Sequence, residues 1–143
     1  MTPIRMQEPG SSDVVTVSLW ELRTAGTYYE LGEFLAATHP YYWPVVNGQS
    51  VDQQAAWRGE CARVNNAGGL ILIARHTSSA DRIVGIAIGA PTGNDNEMEK
   101  LTVKAAYNAE ALEPLLLAAL RQQSAQIGMV LGRAEMSRRG VAI

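Results

Sequence analysis

Residues Leu101–Leu120 read LTVKAAYNAEALEPLLLAAL, and the way this run divides decides the fold. Its β-branched start is strand-like, and LLLAAL at its end is an apolar helix. The residues between form a tight loop. A strand–loop–helix unit of this kind often holds a phosphate at the helix N-terminus, where unpaired N–H groups and the helix dipole meet an anion. Here the loop carries Glu110 and Glu113 and no glycine. The same stretch therefore argues for an architecture and against the chemistry that usually goes with it.

Upstream, residues 97–105 predict the strand that feeds this loop. Before it come two near-continuous apolar strands, 70–76 (LILIARH) and 82–90 (RIVGIAIGA), which the turn at 77–81 joins as a hairpin. Gly85 and Gly89 inside the second imply a bulge or a close backbone approach. Further upstream, 24–38 is a helix with Tyr28, Leu31, Phe34 and Leu35 on one face, ended by Pro40. A second helix runs from a Ser50 or Asp52 cap to about residue 66. Residues 14–22 are a first strand, and 1–13, with two prolines, a glycine and two serines, read as a flexible lead-in to one domain, 14–143. Downstream, the helix 115–127 stops at Gly128, and 129–136 is a last strand. The order is β-α-α-β-β-β-α-β, an α/β fold with a mixed, mostly antiparallel sheet and helices on both faces.

Composition removes several function classes. The chain has 143 residues, a formal net charge of -2 and one cysteine. No basic excess speaks for nucleic acid, one thiol excludes an internal disulfide, and no apolar run reaches membrane-spanning length. His39 and His76 lie far apart with no carboxylate pattern around them, which argues against a metal site. A cytoplasmic protein is the expectation.

The middle of the chain resembles the GNAT superfamily of N-acetyltransferases. ILIAR, a turn and RIVGIAIG look like that family's central hairpin; LTV, a linker, LLLAAL and QIG look like its fourth strand and cofactor helix. The resemblance implies a loop of Arg or Gln, two residues, Gly, one residue, then Gly or Ala, whose N–H groups cradle the pyrophosphate of coenzyme A. Laid on that pattern, Asn108 takes the basic or amide position, Ala111 the first glycine and Glu113 the second. Two like charges near 4 Å repel by roughly 1 kcal/mol in water and about 4 kcal/mol at a partly buried site, against about 0.3–2 kcal/mol from a helix N-terminus. With Pro114 read as a first-turn residue, Glu113 would cap the helix itself. The resemblance also implies a closing segment with a tyrosine acid; residues 137–143 hold none.

The expected function is therefore a GNAT-like fold acting on a small molecule without a cofactor, in an isomerisation or cyclisation of a biosynthetic kind. The alternatives are an acetyl-CoA-dependent N-acyltransferase with an atypical loop and a non-catalytic binding or dimerisation module. Candidate catalytic residues are Glu99, at the entry of the fourth strand, and His39, a general base or a plain carbonyl cap. Tyr41, Tyr42 and Trp43 form either a ligand wall or a helix-corner cluster. Tyr107 stacks on a ligand or plugs the groove. In the acyltransferase alternative the backbone of Val103 holds the thioester carbonyl. Cys61, on an apolar helix face, reads as a buried inert thiol, and His76 as solvated. A bare strand edge at the end of the chain predicts a homodimer through residues 129–143.

Overall fold

LILIARH and IVGIAIGAP are short, apolar on both faces and rich in β-branched residues, which suits strands covered from two sides. The computed structural model describes residues 4–7, 14–19, 25–39, 52–76, 82–94, 96–106 and 108–132, and these two runs form its central strands. The elements follow as β1 (Ile4–Gln7), β2 (Val14–Leu19), α1 (Ala25–Thr38), α2 (Gln53–Asn66), β3 (Leu70–His76), β4 (Ile83–Pro91), β5 (Glu97–Ala105), α3 (Ala109–Gln126) and β6 (Val130–Leu131). Spatial order equals sequence order across the six-stranded sheet. All neighbours are antiparallel except β5 and β6, which are parallel, as a β-α-β connection requires.

Three boundaries differ from expectation. Residues 4–7 are not part of a lead-in but pair with β2, whose outer edge would otherwise be bare. The last strand shrinks from 129–136 to Val130–Leu131; residues 133–143 lie outside the described residues. The third helix begins at Ala109 rather than at residue 115.

The sheet separates two cores. On one face α3 lays Leu112, Leu116 and Leu120 over Val15, Leu72, Ala87 and Met98. On the other, α1 and α2 place Leu31, Leu35, Trp57, Cys61 and Val64 over Ile71, Ile73, Ile86 and Ile88. Cys61 is buried as its helix face implied, and burial with the nearby Glu60 charge pushes its thiol up to about 12. His76 departs from expectation: it is 5% exposed, because β3 stays paired through it to Val15. Gly69 is required by packing, since a Cβ there would come 2.6 Å from Gly89 O and 2.9 Å from Val64 O. Gly128 ends α3 at φ 77°, which favours glycine.

Two bulges shape the sheet. In β4, Ala74 faces Gly85 and Arg75 faces Ile83, so Val84 is the extra residue. The carboxylate of Glu30 on α1 sits at this irregularity, accepting from Ile83 N at 3.2 Å and from Arg75 Nη1 at 3.2 Å. In β5, Ile88 faces Thr102 and Gly89 faces Lys100, so Leu101 is extra. That second bulge turns Leu101 and Thr102 to the same side, toward α1 and α2.

Glu30 ties α1 to the sheet through a charge-assisted pair of bonds, so Glu30→Ala should lower unfolding free energy by about 1–2 kcal/mol in urea denaturation. Unchanged stability in that variant would show that α1 is held by apolar burial alone.

Candidate active site

His39 follows α1 directly, and the helix end decides its protonation. Its Nδ1 lies 2.8 Å from Thr38 Oγ1 and 3.3 Å from the Leu35 carbonyl oxygen. The Thr38 hydroxyl donates to the Phe34 carbonyl at 2.9 Å. Both groups facing Nδ1 are thus acceptors, so Nδ1 carries the proton and Nε2 the lone pair. Nε2 lies 2.9 Å from Thr102 Oγ1, which the β5 bulge has turned to this face. The Thr102 hydroxyl therefore donates to Nε2. Trp57 of α2 walls the ring, with centroids 5.1 Å apart. Burial lowers the His39 pKa below its ordinary 6.5; the Leu35 carbonyl opposes this and the Lys104 charge adds to it. The resting ring is neutral and able to accept a proton.

A cleft of about 420 Å³ lies on the other side of the same strand, between β5 and the start of α3, lined by Lys100, Val103, Ala109, Glu110, Glu113, Pro114 and Leu117. It exists because β6 pairs only with Glu97 and Met98, so β5 beyond Met98 has no strand on that edge among the described residues. Ala106 N donates inward to Val84 O, and Ala105 N donates outward to Glu113 Oε2 at 3.0 Å. By the alternation of a strand, the N–H of Val103 faces outward as well.

The start of α3 corrects the self-capping expectation. Its N-cap is Asn108 in the left-handed region at φ 51°, with no side-chain capping bond. Glu113 lies a full turn inside the helix, and its carboxylate reaches across to the strand rather than to the first-turn N–H groups. Pro114 is internal to the helix, where its ring removes the N–H that the Glu110 carbonyl would accept from. The first-turn reading of Pro114 fails because Leu112, 2% exposed, belongs to the core and the helix extends back past it.

No family model matches the sequence, and no curated protein matches it. Solved structures do match in shape. An aminoglycoside 6'-N-acetyltransferase complexed with coenzyme A superposes at a TM-score of 0.60 with 15% identity, over 79% of this chain and 57% of its own. A GNAT-family acetyltransferase from Staphylococcus aureus Mu50 superposes at 0.56 with 13% identity, over 88% of this chain and 78% of its own. The chain has the GNAT fold. The Salmonella typhimurium protein yncA, with its cofactor acetyl-CoA, superposes at 0.51 with 17% identity, over 80% of this chain and 65% of its own. The chain thus spans little more than half the length of the aminoglycoside enzyme, at 57%.

The expectation of a GNAT fold without a cofactor does not stand. Two solved structures of this fold, the aminoglycoside 6'-N-acetyltransferase and yncA, hold coenzyme A and acetyl-CoA, so the fold does not go with the absence of a cofactor. The physical reason for the error is the helix start: the carboxylate assumed to occupy the N-terminus is bonded elsewhere.

Of the candidate residues, Val103 and Glu113 line the cleft, whereas Asn108 and Ala111 sit in the first turn without lining it. His39 lies across the strand at Thr102. Glu99 has its side chain on the His39 face, since Met98 beside it points into the α3 core. Tyr41, Tyr42, Trp43 and Tyr107 lie outside the described residues. Sequence reading missed Thr102, Thr38, Lys100 and Lys104. Only the broken alternation at Leu101-Thr102, where two neighbours must share a face, could have signalled the first. Among the described residues no three His, Cys, Asp or Glu side chains gather as metal ligands, and no helix is long and apolar enough to cross a membrane.

The His39 ring should titrate below 6.5 in an NMR pH series, and Lys104→Gln should move the midpoint up by removing a like charge. Because the folded value is the lower one, the unfolded chain takes the proton first as pH falls, so stability should drop from 6.5 down to the folded midpoint and then level. A midpoint above 6.5 would overturn the neutral ring.

Proposed function

We propose that the protein transfers an acyl group from an acyl-CoA thioester to a small-molecule amine. One observation carries the reading: an edge of β5 that no strand covers among the described residues faces the start of α3, whose N-cap side chain makes no capping bond, across a cleft, while a neutral imidazole stands on the other side of the same strand segment. The occurrence of coenzyme A and acetyl-CoA in structures of this fold supports it.

The residues fit such a donor along its length. The outward N–H of Val103 suits an extended amide-bearing arm, which would add to the sheet edge as a strand does. The first-turn N–H groups of α3 suit an anion. Lys100 contributes a cation to the cleft wall. Against these stand Glu110 and Glu113, although Glu113 has one carboxylate oxygen engaged by the Ala105 N–H. When bound, the cofactor supplies an acyl group activated as a thioester. His39 holds a lone pair on Nε2 for the proton that an attacking amine must lose, and Glu99 is the second base on that face.

We further propose a homodimer through the C-terminal strand region. Ile127 and Val130 are 50% and 68% exposed beside the short β6, an apolar edge that suits a second copy. Solution scattering should return the mass of two chains; a monodisperse monomer would refute it.

Calorimetry with coenzyme A tests the main reading. The wild-type chain should bind, and Glu113→Gln, which keeps an acceptor for Ala105 N while removing the charge, should bind roughly fivefold tighter, as about 1 kcal/mol of relieved repulsion implies. Glu110→Lys should tighten binding further. No heat from any of the three would sink the acyl-CoA reading and leave the binding module.

A further inference from the structure

Lys100 and Val103 are three residues apart, a spacing that puts side chains on opposite faces of a regular strand. Both line the cleft nonetheless, because the extra residue at Leu101 brings them back into phase. The two walls of the cleft run antiparallel. Leu116 of α3 packs at Gly85, which faces Ala105, and Leu120 packs at Gly89, which faces Lys100. The start of α3 therefore stands beside Ala105, where Glu113 is bonded, and Lys100 marks the other end. Beyond Lys100 the edge is taken up by β6, which pairs with Met98 and is bonded to it again through Gly132 N. Five residues of strand separate Lys100 from Ala105, roughly 15 Å at about 3.3 Å per residue. Lys100 is thus too far away to hold an anion at the helix start. The Debye length is about 8 Å at physiological salt, so Glu110 and Glu113 are largely screened from an anion at Lys100. Among the described residues, no carboxylate lies within ion-pair distance of the Lys100 ammonium.

We propose that the acyl group this cleft takes ends in a carboxylate, as in a short dicarboxylic acyl-CoA, and that Lys100 is the residue that selects it. The inference rests on the acyl-CoA reading and adds the class of donor. On that reading the first turn of α3 takes the anionic end of the donor and the Val103 N–H its amide-bearing arm, so the acyl end lies toward Lys100. The walls there are Leu117 and the lysine stem, with one ammonium at the end. A plain acetyl group gives that ammonium nothing to bind. A carboxylate a short chain beyond the thioester pairs with it through a charge-assisted bond. Lys100 touches only this terminal carboxylate, which makes and breaks no bond when the acyl carbon passes from sulfur to amine. Two anion positions at opposite ends of one cleft explain why its cation is not placed at the helix start, where a diphosphate alone would need it.

The test is calorimetry on the whole chain with acetyl-CoA, malonyl-CoA and succinyl-CoA. Wild type should bind at least one of the two acid-bearing thioesters roughly tenfold tighter than acetyl-CoA, as one charge-assisted bond implies. Lys100→Met should bring that ratio to about one, Lys100→Arg should keep a preference, and Lys100→Glu should invert it. Equal affinity of the wild type for all three thioesters overturns the proposal and leaves the acyl-CoA reading standing. Loss of affinity for all three by the same factor in Lys100→Met also overturns it, since the lysine then serves a part that every donor shares. Absence of heat with every thioester overturns both readings. Should Lys100→Met not fold, Lys100→Gln takes its place, and the wild-type preference should also shrink as salt is added; a preference that salt leaves unchanged overturns the charge pairing.

Discussion

The two sides of β5 are unequally paired, and the site depends on that inequality. One edge is bonded to β4 along the length of the strand; among the described residues the other meets β6 at Glu97 and Met98 alone. Buried backbone groups left without partners are costly, so an edge opened in this way must be answered by something else. At Ala105 the answer is the Glu113 carboxylate. At Val103 the outward N–H opens onto the cleft. The same strand then uses its bulge at Leu101 to turn Thr102 away from the α3 core and toward α1, where the lone pair of His39 receives its hydroxyl. Cleft and imidazole are thus products of one irregular strand rather than two separate features.

The electrostatics of the two sides differ for a reason that lies in burial. His39 is shielded by Trp57 and by the end of α1, and the Lys104 charge lies near enough to disfavour a second positive group, so the ring stays neutral. The cleft is open and bears acid and base together, with Lys100 facing Glu110 and Glu113 across it. In such partly solvated surroundings each charge is worth on the order of 1 kcal/mol, enough to tune the affinity for an anion but not to forbid it. That is why a reading which treated one carboxylate as decisive was too strong.

The fold was legible because it rests on long apolar runs. LILIARH and IVGIAIGAP could only be buried strands, and Leu31, Leu35, Leu116 and Leu120 recur at helical spacing with nothing to contradict them. β1 was not legible, since four residues beside prolines and serines carry no periodicity, and only the bare edge of β2 gives them a place. The start of α3 was misread through Pro114, a local rule that the burial of Leu112 overrides. His39 was singled out from its titration range and its place before proline. Its partner was not, because Thr102 lies 63 positions away in sequence and faces His39 only once a bulge has shifted the strand by one residue.

Glu110 shows how fold and site share one residue at cross purposes. In the first turn of α3 a carboxylate favours the helix, by about 0.3–1 kcal/mol through the dipole at an exposed position. The same charge opposes any anion brought to that helix end, over a similar range of energy. Glu113 carries the conflict further, since its bond to Ala105 N stitches α3 to β5 while its charge stands at the cleft. A helix interrupted by Pro114 has lost one internal bond and has more need of such supports than an unbroken one. The acidic residues are therefore accounted for by what they do for α3, and their presence is no evidence that the cleft rejects a phosphorylated donor. On the acyl-CoA reading proposed above, grip on the donor would then come chiefly from the β5 backbone that faces the cleft, since strand-edge hydrogen bonding does not depend on the donor's charge.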